Sequence, residues 1–111
     1  MLWFTSGQHL GPMTSELSYA VSKGALHQMT ASVADALADR GIVANCINPG
    51  PVDTGYATGE VHAAIAKRFP SGRWGTPDDV ARAVVAVAGD LLPFSTGEVI
   101  NVDGGFHLRR L

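Results

Sequence analysis

The chain has 111 residues and a net charge of −2 at neutral pH, with 46% apolar and 16% charged residues. This balance is typical of one globular domain and excludes a disordered segment. The charge excludes the broad basic surface with which proteins bind nucleic acid or acidic membranes. The single cysteine, Cys46, excludes an intrachain disulfide and fits a reducing compartment. Without a signal-peptide or membrane-spanning pattern, we expect a cytoplasmic location.

The first half of the chain predicts a strand, a helix and a second strand. Residues 1–5 are apolar without a helical period and predict a short buried strand. Residues 18–39 predict a helix with an apolar stripe that should face a sheet. Residues 42–47 predict a parallel strand that is covered on both faces. The stripe consists of Leu26, Met29, Val33 and Leu37.

The second half predicts two helices and a last strand. Residues 60–69 fit a short helix. Residues 76–79, Thr-Pro-Asp-Asp, are typical of a helix start, because threonine caps, proline fits the first turn and acids suit the positive end of the dipole. That helix should end near Gly89 or Asp90, and the last strand should occupy residues 97–102.

Tyr19 and Lys23 are four positions apart on the first predicted helix, so both project from one face. A phenol beside an ammonium is suited to proton transfer, because a cation within about 4–6 Å favours the phenolate. Taken alone, this spacing is more often a half-buried tyrosine beside a solvated lysine. The surroundings therefore decide between the two interpretations.

Polar or glycine-rich residues follow each predicted strand: Ser6 the first, residues 48–54 the second and residues 102–105 the third. Open α/β sheets bind their ligands at this edge. Together with Tyr19 and Lys23, these motifs resemble the C-terminal part of the short-chain dehydrogenase/reductase family. The branch that the chain resembles most is the 3-oxoacyl-(acyl-carrier-protein) reductase-like one, and the resemblance runs from Ser6 to Gly105.

The resemblance implies an α/β fold, namely part of a Rossmann-like, three-layer α/β/α domain with three parallel strands and crossover helices. Residues 1–111 would be the catalytic and substrate-side part of a single domain, without the N-terminal half of the doubly wound sheet. The family's glycine-rich cofactor loop would then precede the first residue. We therefore expect this chain alone to bind a dinucleotide poorly and to be inactive.

The implied activity is hydride transfer between NAD or NADP and a carbonyl or alcohol substrate, with no metal. Tyr19 would be the acid or base, Lys23 would lower its pKa and hold the nicotinamide ribose, and Ser6 would polarise the carbonyl. The backbone of Val52 would pair with the nicotinamide carboxamide, and Thr54 would offer its hydroxyl to the carboxamide or the phosphates. The same loop would contribute Pro49 and Gly50 to the cofactor site.

The expected partners are a small-molecule substrate and further copies of the chain, as a dimer or tetramer of the full-length form, with no nucleic acid or membrane. The resemblance implies substrate contacts between residues 55 and 74, where three side chains are candidates, although a surface loop with a few anchoring side chains explains them equally well. Three cations there can attract an acyl carrier or a coenzyme A thioester, or can simply be solvated. The candidates are Tyr56, His62 and Phe69, and the cations are Lys67, Arg68 and Arg73.

Two alternatives to an oxidoreductase remain open at the level of sequence. The first is an inactive remnant of the family that acts at most as an association module. The second, more distant, is an epimerase or dehydratase that uses Tyr19 and Lys23. Such enzymes usually carry a larger C-terminal domain, which this sequence does not contain.

Overall fold

The computed structural model describes residues 1–109 and contains one parallel three-stranded sheet with three α-helices. Its strands pair in the order in which they occur along the chain. The α/β class with three parallel strands is therefore confirmed. The elements are β1 (Leu2–Phe4), α1 (Leu17–Leu37), β2 (Asn45–Asn48), α2 (Gly59–Ala66), α3 (Pro77–Ala88) and β3 (Val99–Asn101), with short 3-10 turns at Ala38–Arg40 and Phe106–Leu108.

The middle strand β2 forms the centre of the core. All four of its residues are buried, and Cys46 pairs with Trp3 of β1 on one side and Val99 of β3 on the other. Helix α1 packs against β1 and β2. The strand begins at Asn45 rather than at the predicted Ile42, which is 38% exposed. Burial raises the pKa of the Cys46 thiol, as expected for a small buried side chain.

Helix α1 presents a threonine rather than Met29 to the core. Thr30 is 1% exposed, whereas Met29 is 37% exposed. The Thr30 hydroxyl donates to the carbonyl of Leu26 at 2.8 Å and accepts from the Trp3 indole N–H at 3.0 Å. A buried polar group that is hydrogen-bonded in this way avoids the cost of an unsatisfied one. The predicted apolar stripe is therefore wrong at Met29.

Helix α3 begins at the predicted position and is capped as its sequence indicates. The Thr76 hydroxyl accepts a hydrogen bond from the Asp79 amide at 3.2 Å, and the Asp79 carboxylate accepts one from the Thr76 amide at 2.8 Å. Arg73 forms an ion pair of 2.8 Å with the same carboxylate. The Arg73 guanidinium, followed by the Thr76 hydrogen bonds, holds the pKa of Asp79 well below its usual range.

None of the helices within residues 1–109 combines the length and the apolar character that crossing a bilayer requires.

Candidate active site

The loop after β2 is fixed by the side chain of Asn48, which is 1% exposed. Its amide group donates to Asn101 of β3 at 3.0 Å, and its oxygen accepts from the Gly50 amide at 3.2 Å. Gly50 has a φ of +62°, and a Cβ there would lie 2.6 Å from the Cβ of Asp103. The resemblance implied that Gly50 contributes to a cofactor site; in the structure, the group that approaches Gly50 most closely is Asp103.

Asp103, which follows β3, is paired with His107 inside the same turn. The carboxylate accepts hydrogen bonds from the Gly105 amide at 3.0 Å, from the His107 amide at 3.0 Å and from His107 Nδ1 at 2.8 Å. Only 2% of the Asp103 side chain is exposed. Its charge is therefore engaged by the turn itself. Sequence reasoning identified the turn but assigned no role to either side chain, although the i, i+4 spacing of Asp and His was visible.

Tyr19 and Lys23 lie one turn apart on α1, as predicted. Lys23 Nζ is 6.0 Å from the centroid of the Tyr19 ring and donates a long hydrogen bond of 3.4 Å to the carbonyl of Phe4. Ser6 lies just beyond β1, where its amide donates to the side chain of Gln8. Within residues 1–109, neither the Ser6 hydroxyl nor the Tyr19 hydroxyl makes a hydrogen bond, so both are free to bond a ligand.

Two clefts meet at Tyr19. The Ser6 cleft, of about 710 Å³, contains Ser6 and Tyr19. The Lys23 cleft, of about 450 Å³, contains Tyr19 and Lys23. Tyr19, Val52 and Thr54 line both clefts. A molecule in one cleft can therefore meet a molecule in the other beside the phenol.

The structure brings all seven predicted site residues to these two clefts. Pro49 lines the Lys23 cleft, and Gly50 lines the Ser6 cleft. Val52 forms an isolated bridge with Gly75, yet its own amide donates to no residue among 1–109. The Thr54 hydroxyl likewise makes no hydrogen bond in that range. Both groups are thus available to a ligand, although their predicted roles toward a cofactor stay predictions.

The three candidates for substrate contact lie in different parts of the structure. Tyr56 lines the Ser6 cleft. His62 instead stacks on Trp74 with ring centroids 4.8 Å apart and contacts the Asp53 carboxylate at 2.9 Å, and this contact lowers the pKa of Asp53. Phe69 is 2% exposed and belongs to the core. Of the three, only Tyr56 is placed to touch a molecule in the cleft.

The predicted basic cluster also separates. Arg73 pairs with Asp79 at the start of α3, away from the Ser6 cleft. Arg68 lines that cleft, and its guanidinium lies 4.2 Å from the centroid of the Phe106 ring. The structure therefore leaves Arg68 as the member of the cluster that faces the site. Among residues 1–109, no three His, Cys, Asp or Glu side chains form a group able to hold a metal ion.

An open parallel α/β sheet with clefts at the carboxyl ends of its strands defines the class of doubly wound α/β proteins. Residues 2–107 match the family described as enoyl-(acyl carrier protein) reductase. The chain belongs to the short-chain dehydrogenase/reductase family, which is a family of oxidoreductases.

Three relatives illustrate this similarity. The oxidoreductase YjdA of Bacillus subtilis (strain 168) is 46% identical over 102 residues, which are 92% of this chain and 41% of YjdA. The structure of LugOII, a promiscuous reductase that catalyses keto-reduction in lugdunomycin biosynthesis, matches with a TM-score of 0.87 and 34% identity over 96% of this chain and 44% of that chain. The structure of an ElxO variant with NADPH bound matches with a TM-score of 0.78 and 26% identity, over 95% of this chain and 45% of that chain. The chain therefore spans less than half the length of these relatives.

Proposed function

We propose that the chain supplies the proton-transfer and substrate side of an oxidoreductase that transfers a hydride between NAD or NADP and a carbonyl or alcohol substrate. The observation that carries this proposal is the position of Tyr19 at the junction of the Ser6 cleft and the Lys23 cleft. Hydride transfer needs two molecules in contact beside an acid or base. The keto-reduction by LugOII and the NADPH bound to ElxO support the same chemistry for this chain.

The residues of the Lys23 cleft suit the nicotinamide end of the cofactor. The amide of Val52 and the hydroxyl of Thr54 are unpaired within residues 1–109 and match the acceptor and donor atoms of a carboxamide. Lys23 can exchange its long bond to the Phe4 carbonyl for the ribose hydroxyls. The sequence has no Gly-x-Gly-x-x-Gly motif, with which related folds hold the pyrophosphate. We therefore expect weak binding, concentrated at the nicotinamide end.

Each side chain has a defined task in the proposed reaction. The bound nicotinamide supplies or accepts the hydride. Tyr19 gives its phenolic proton to the oxygen of a ketone or accepts the proton of an alcohol, and Ser6 hydrogen-bonds to that oxygen. The Lys23 ammonium stabilises the phenolate that is left. Because the Tyr19 hydroxyl has no other partner within residues 1–109, the reacting oxygen meets no competitor from that part of the chain.

The test is a saturation-transfer NMR titration of the folded chain with NADH and NADPH, combined with an assay for reduction of a simple ketone. Nicotinamide protons should receive more saturation than adenine protons, with a dissociation constant of about 1 mM. Any turnover should fall about 10²- to 10⁴-fold in Tyr19→Phe, because the general acid is lost. The second tyrosine provides the matched control, since Tyr56→Phe removes a hydroxyl from the same cleft and should lower turnover far less.

Two results would count against this proposal. If the adenine protons receive as much saturation as the nicotinamide protons, the assignment of the Lys23 cleft to the nicotinamide end of the cofactor is contradicted. Turnover that survives Tyr19→Phe would remove the assignment of the acid. A folded sample with neither binding nor turnover would favour the second candidate function.

That second candidate is an association module without activity, and exposed apolar side chains favour it. Leu17 and Val21 on α1 are 71% and 65% exposed, and Phe94 after α3 is fully exposed. Large apolar side chains exposed in this way are candidates for contact with another protein. Sedimentation velocity tests it, because a dimer or tetramer that Phe94→Ser or Val21→Ser dissociates would support association, whereas a monomer at all concentrations would contradict it.

A further inference from the structure

The end of the Ser6 cleft formed by the last described residues is basic. Arg68, which is half-buried, and Arg109, which is exposed, line this cleft together with Tyr19 and Ser6. The acid among the lining residues is Asp103. A molecule held near the Tyr19 hydroxyl therefore occupies a cleft with two permanent cations.

These two cations are unpaired in the described chain, although Glu60 lines a second cleft together with both of them. Within residues 1–109, neither the Arg68 nor the Arg109 side chain takes part in an ion pair or hydrogen bond. The Asp103 carboxylate is engaged by two backbone amides and by His107. By contrast, Arg73 forms an ion pair with Asp79 at 2.8 Å. The cleft thus carries an excess positive charge that the fold leaves uncompensated.

Arg68 is held in place rather than moving freely at the surface. Its guanidinium lies 4.2 Å from the Phe106 ring centroid, and Phe106 packs on the buried Phe69 with centroids 5.0 Å apart. Its Nε atom is buried, and none of residues 1–109 accepts the hydrogen. A guanidinium that is positioned before a ligand arrives loses little conformational freedom on binding. It is therefore suited to recognition rather than to solubility alone.

We propose that this basic end of the cleft selects a ketone or alcohol that carries a carboxylate, held by Arg68 and Arg109 while its reacting oxygen lies at Tyr19. Assignment of the reacting oxygen rests on the proposed function; assignment of the carboxylate rests on Arg68 and Arg109 alone. The planar guanidinium fork matches the two oxygens of a carboxylate and donates two parallel charge-assisted hydrogen bonds.

The test is a chemical-shift titration of the ¹⁵N-labelled chain with 4-oxopentanoate and with its uncharged isostere 4-oxopentanamide. The carboxylate should bind about tenfold more tightly than the amide. Arg68→Gln should remove most of this preference, because Arg109 then remains as the single cation at this end of the cleft. Arg68→Lys, which keeps the charge but not the fork, should retain part of the preference. Thermal unfolding of each variant confirms that it is folded.

Arg73→Gln is the matched control, because it removes an equal charge that is already paired outside the Ser6 cleft. Equal binding of the two probes, no binding of either up to about 100 mM, or equal losses in Arg68→Gln and Arg73→Gln would each overturn the proposal. Tighter binding of methyl phosphate than of 4-oxopentanoate would also overturn it, in favour of a phosphate-bearing substrate. The titration needs neither cofactor nor turnover, so selective carboxylate binding in a sample whose nicotinamide protons receive no preferential saturation contradicts the proposed function alone.

Discussion

Tyr19 and Asn48 line the same cleft, yet they differ in burial and in hydrogen bonding. Tyr19 is 43% exposed, and its hydroxyl is unbonded within residues 1–109. Asn48 is 1% exposed, and its side chain hydrogen-bonds to Asn101 of β3 and to the Gly50 amide in the loop after β2. Asp103 is 4% exposed, and its carboxylate likewise accepts a hydrogen bond from the His107 amide within its own turn. The strand-end network around Asn48 and Asp103 fixes the shape of the cleft. The corner formed by Ser6, Tyr19 and Lys23 is available to contact a ligand in it.

This difference indicates how stability and chemistry are separated in the molecule. A buried polar group without a partner is costly, so the strand-end network must satisfy itself. An exposed group is solvated by water and can exchange that water for a ligand. Substitutions in the network should therefore lower the free energy of unfolding. Substitutions at the corner should change function and leave that free energy nearly unchanged.

The largest expected effect on stability comes from Gly50→Ala. The new Cβ would lie 2.6 Å from the Cβ of Asp103, at a φ of +62° that side chains rarely adopt. Backbone strain and overpacking together should lower the free energy of unfolding by about 3 kcal/mol in a urea titration. Gly55→Ala is the matched control, because its φ is +89° but no atom lies within 4 Å of the new Cβ. It should cost only about 1 kcal/mol. Equal costs would mean that Asp103 moves aside freely and that the network is not rigid.

A smaller effect is expected from removing the cap of α3. Thr76→Ala deletes the hydroxyl that accepts from the Asp79 amide, which should cost about 1 kcal/mol of unfolding free energy. Thr58 provides the matched control, because it occupies the same position before α2 but its side chain makes no capping bond. Thr58→Ala should change the free energy by less than about 0.5 kcal/mol. A larger loss at Thr58 than at Thr76 would contradict the assignment of the capping box.

The smallest expected effect is on the pH dependence of the free energy of unfolding in acid. Arg73 and the Thr76 hydrogen bonds hold the pKa of Asp79 below its usual range in the folded chain. Since the unfolded chain takes up that proton first, Asp79 contributes stability above about pH 4 and loses it as the pH falls further. Urea titrations between pH 6 and pH 3 should show the gap between wild type and Asp79→Asn closing below pH 4. Arg73→Gln should weaken that pH dependence, and an unchanged gap at pH 3 would contradict the prediction.

The elements that the sequence predicted well are those encoded by neighbouring residues. The start of α3 needs only residues 76–79, which supply both partners of the cap. The spacing of Tyr19 and Lys23 follows directly from the helical repeat. The middle strand was predicted from the mostly apolar residues 42–47, of which residues 45–47 lie in β2. In each case the signal lies within a few consecutive residues of the sequence.

What the sequence did not predict depends on contacts between distant segments. Thr30 is buried because Trp3, 27 residues away, donates to its hydroxyl. Gly50 is required by Asp103, a residue of another loop. Arg68 seemed to belong with Arg73, but Phe106 and Asp79 draw the two side chains apart. No local pattern carries such information, because each partner is chosen by the folded chain rather than by spacing.

The burial of Cys46 gives the chain an internal reporter. Its thiol is 0% exposed at the centre of β2, and it is the single cysteine of the sequence. Burial also raises its pKa, so the folded chain presents almost no thiolate to an alkylating reagent. Labelling must then wait until the sheet opens, and its rate measures how often β2 separates from β1 and β3 under native conditions. The natural sequence thus reports its own opening to an alkylating reagent, without an introduced cysteine and without denaturant.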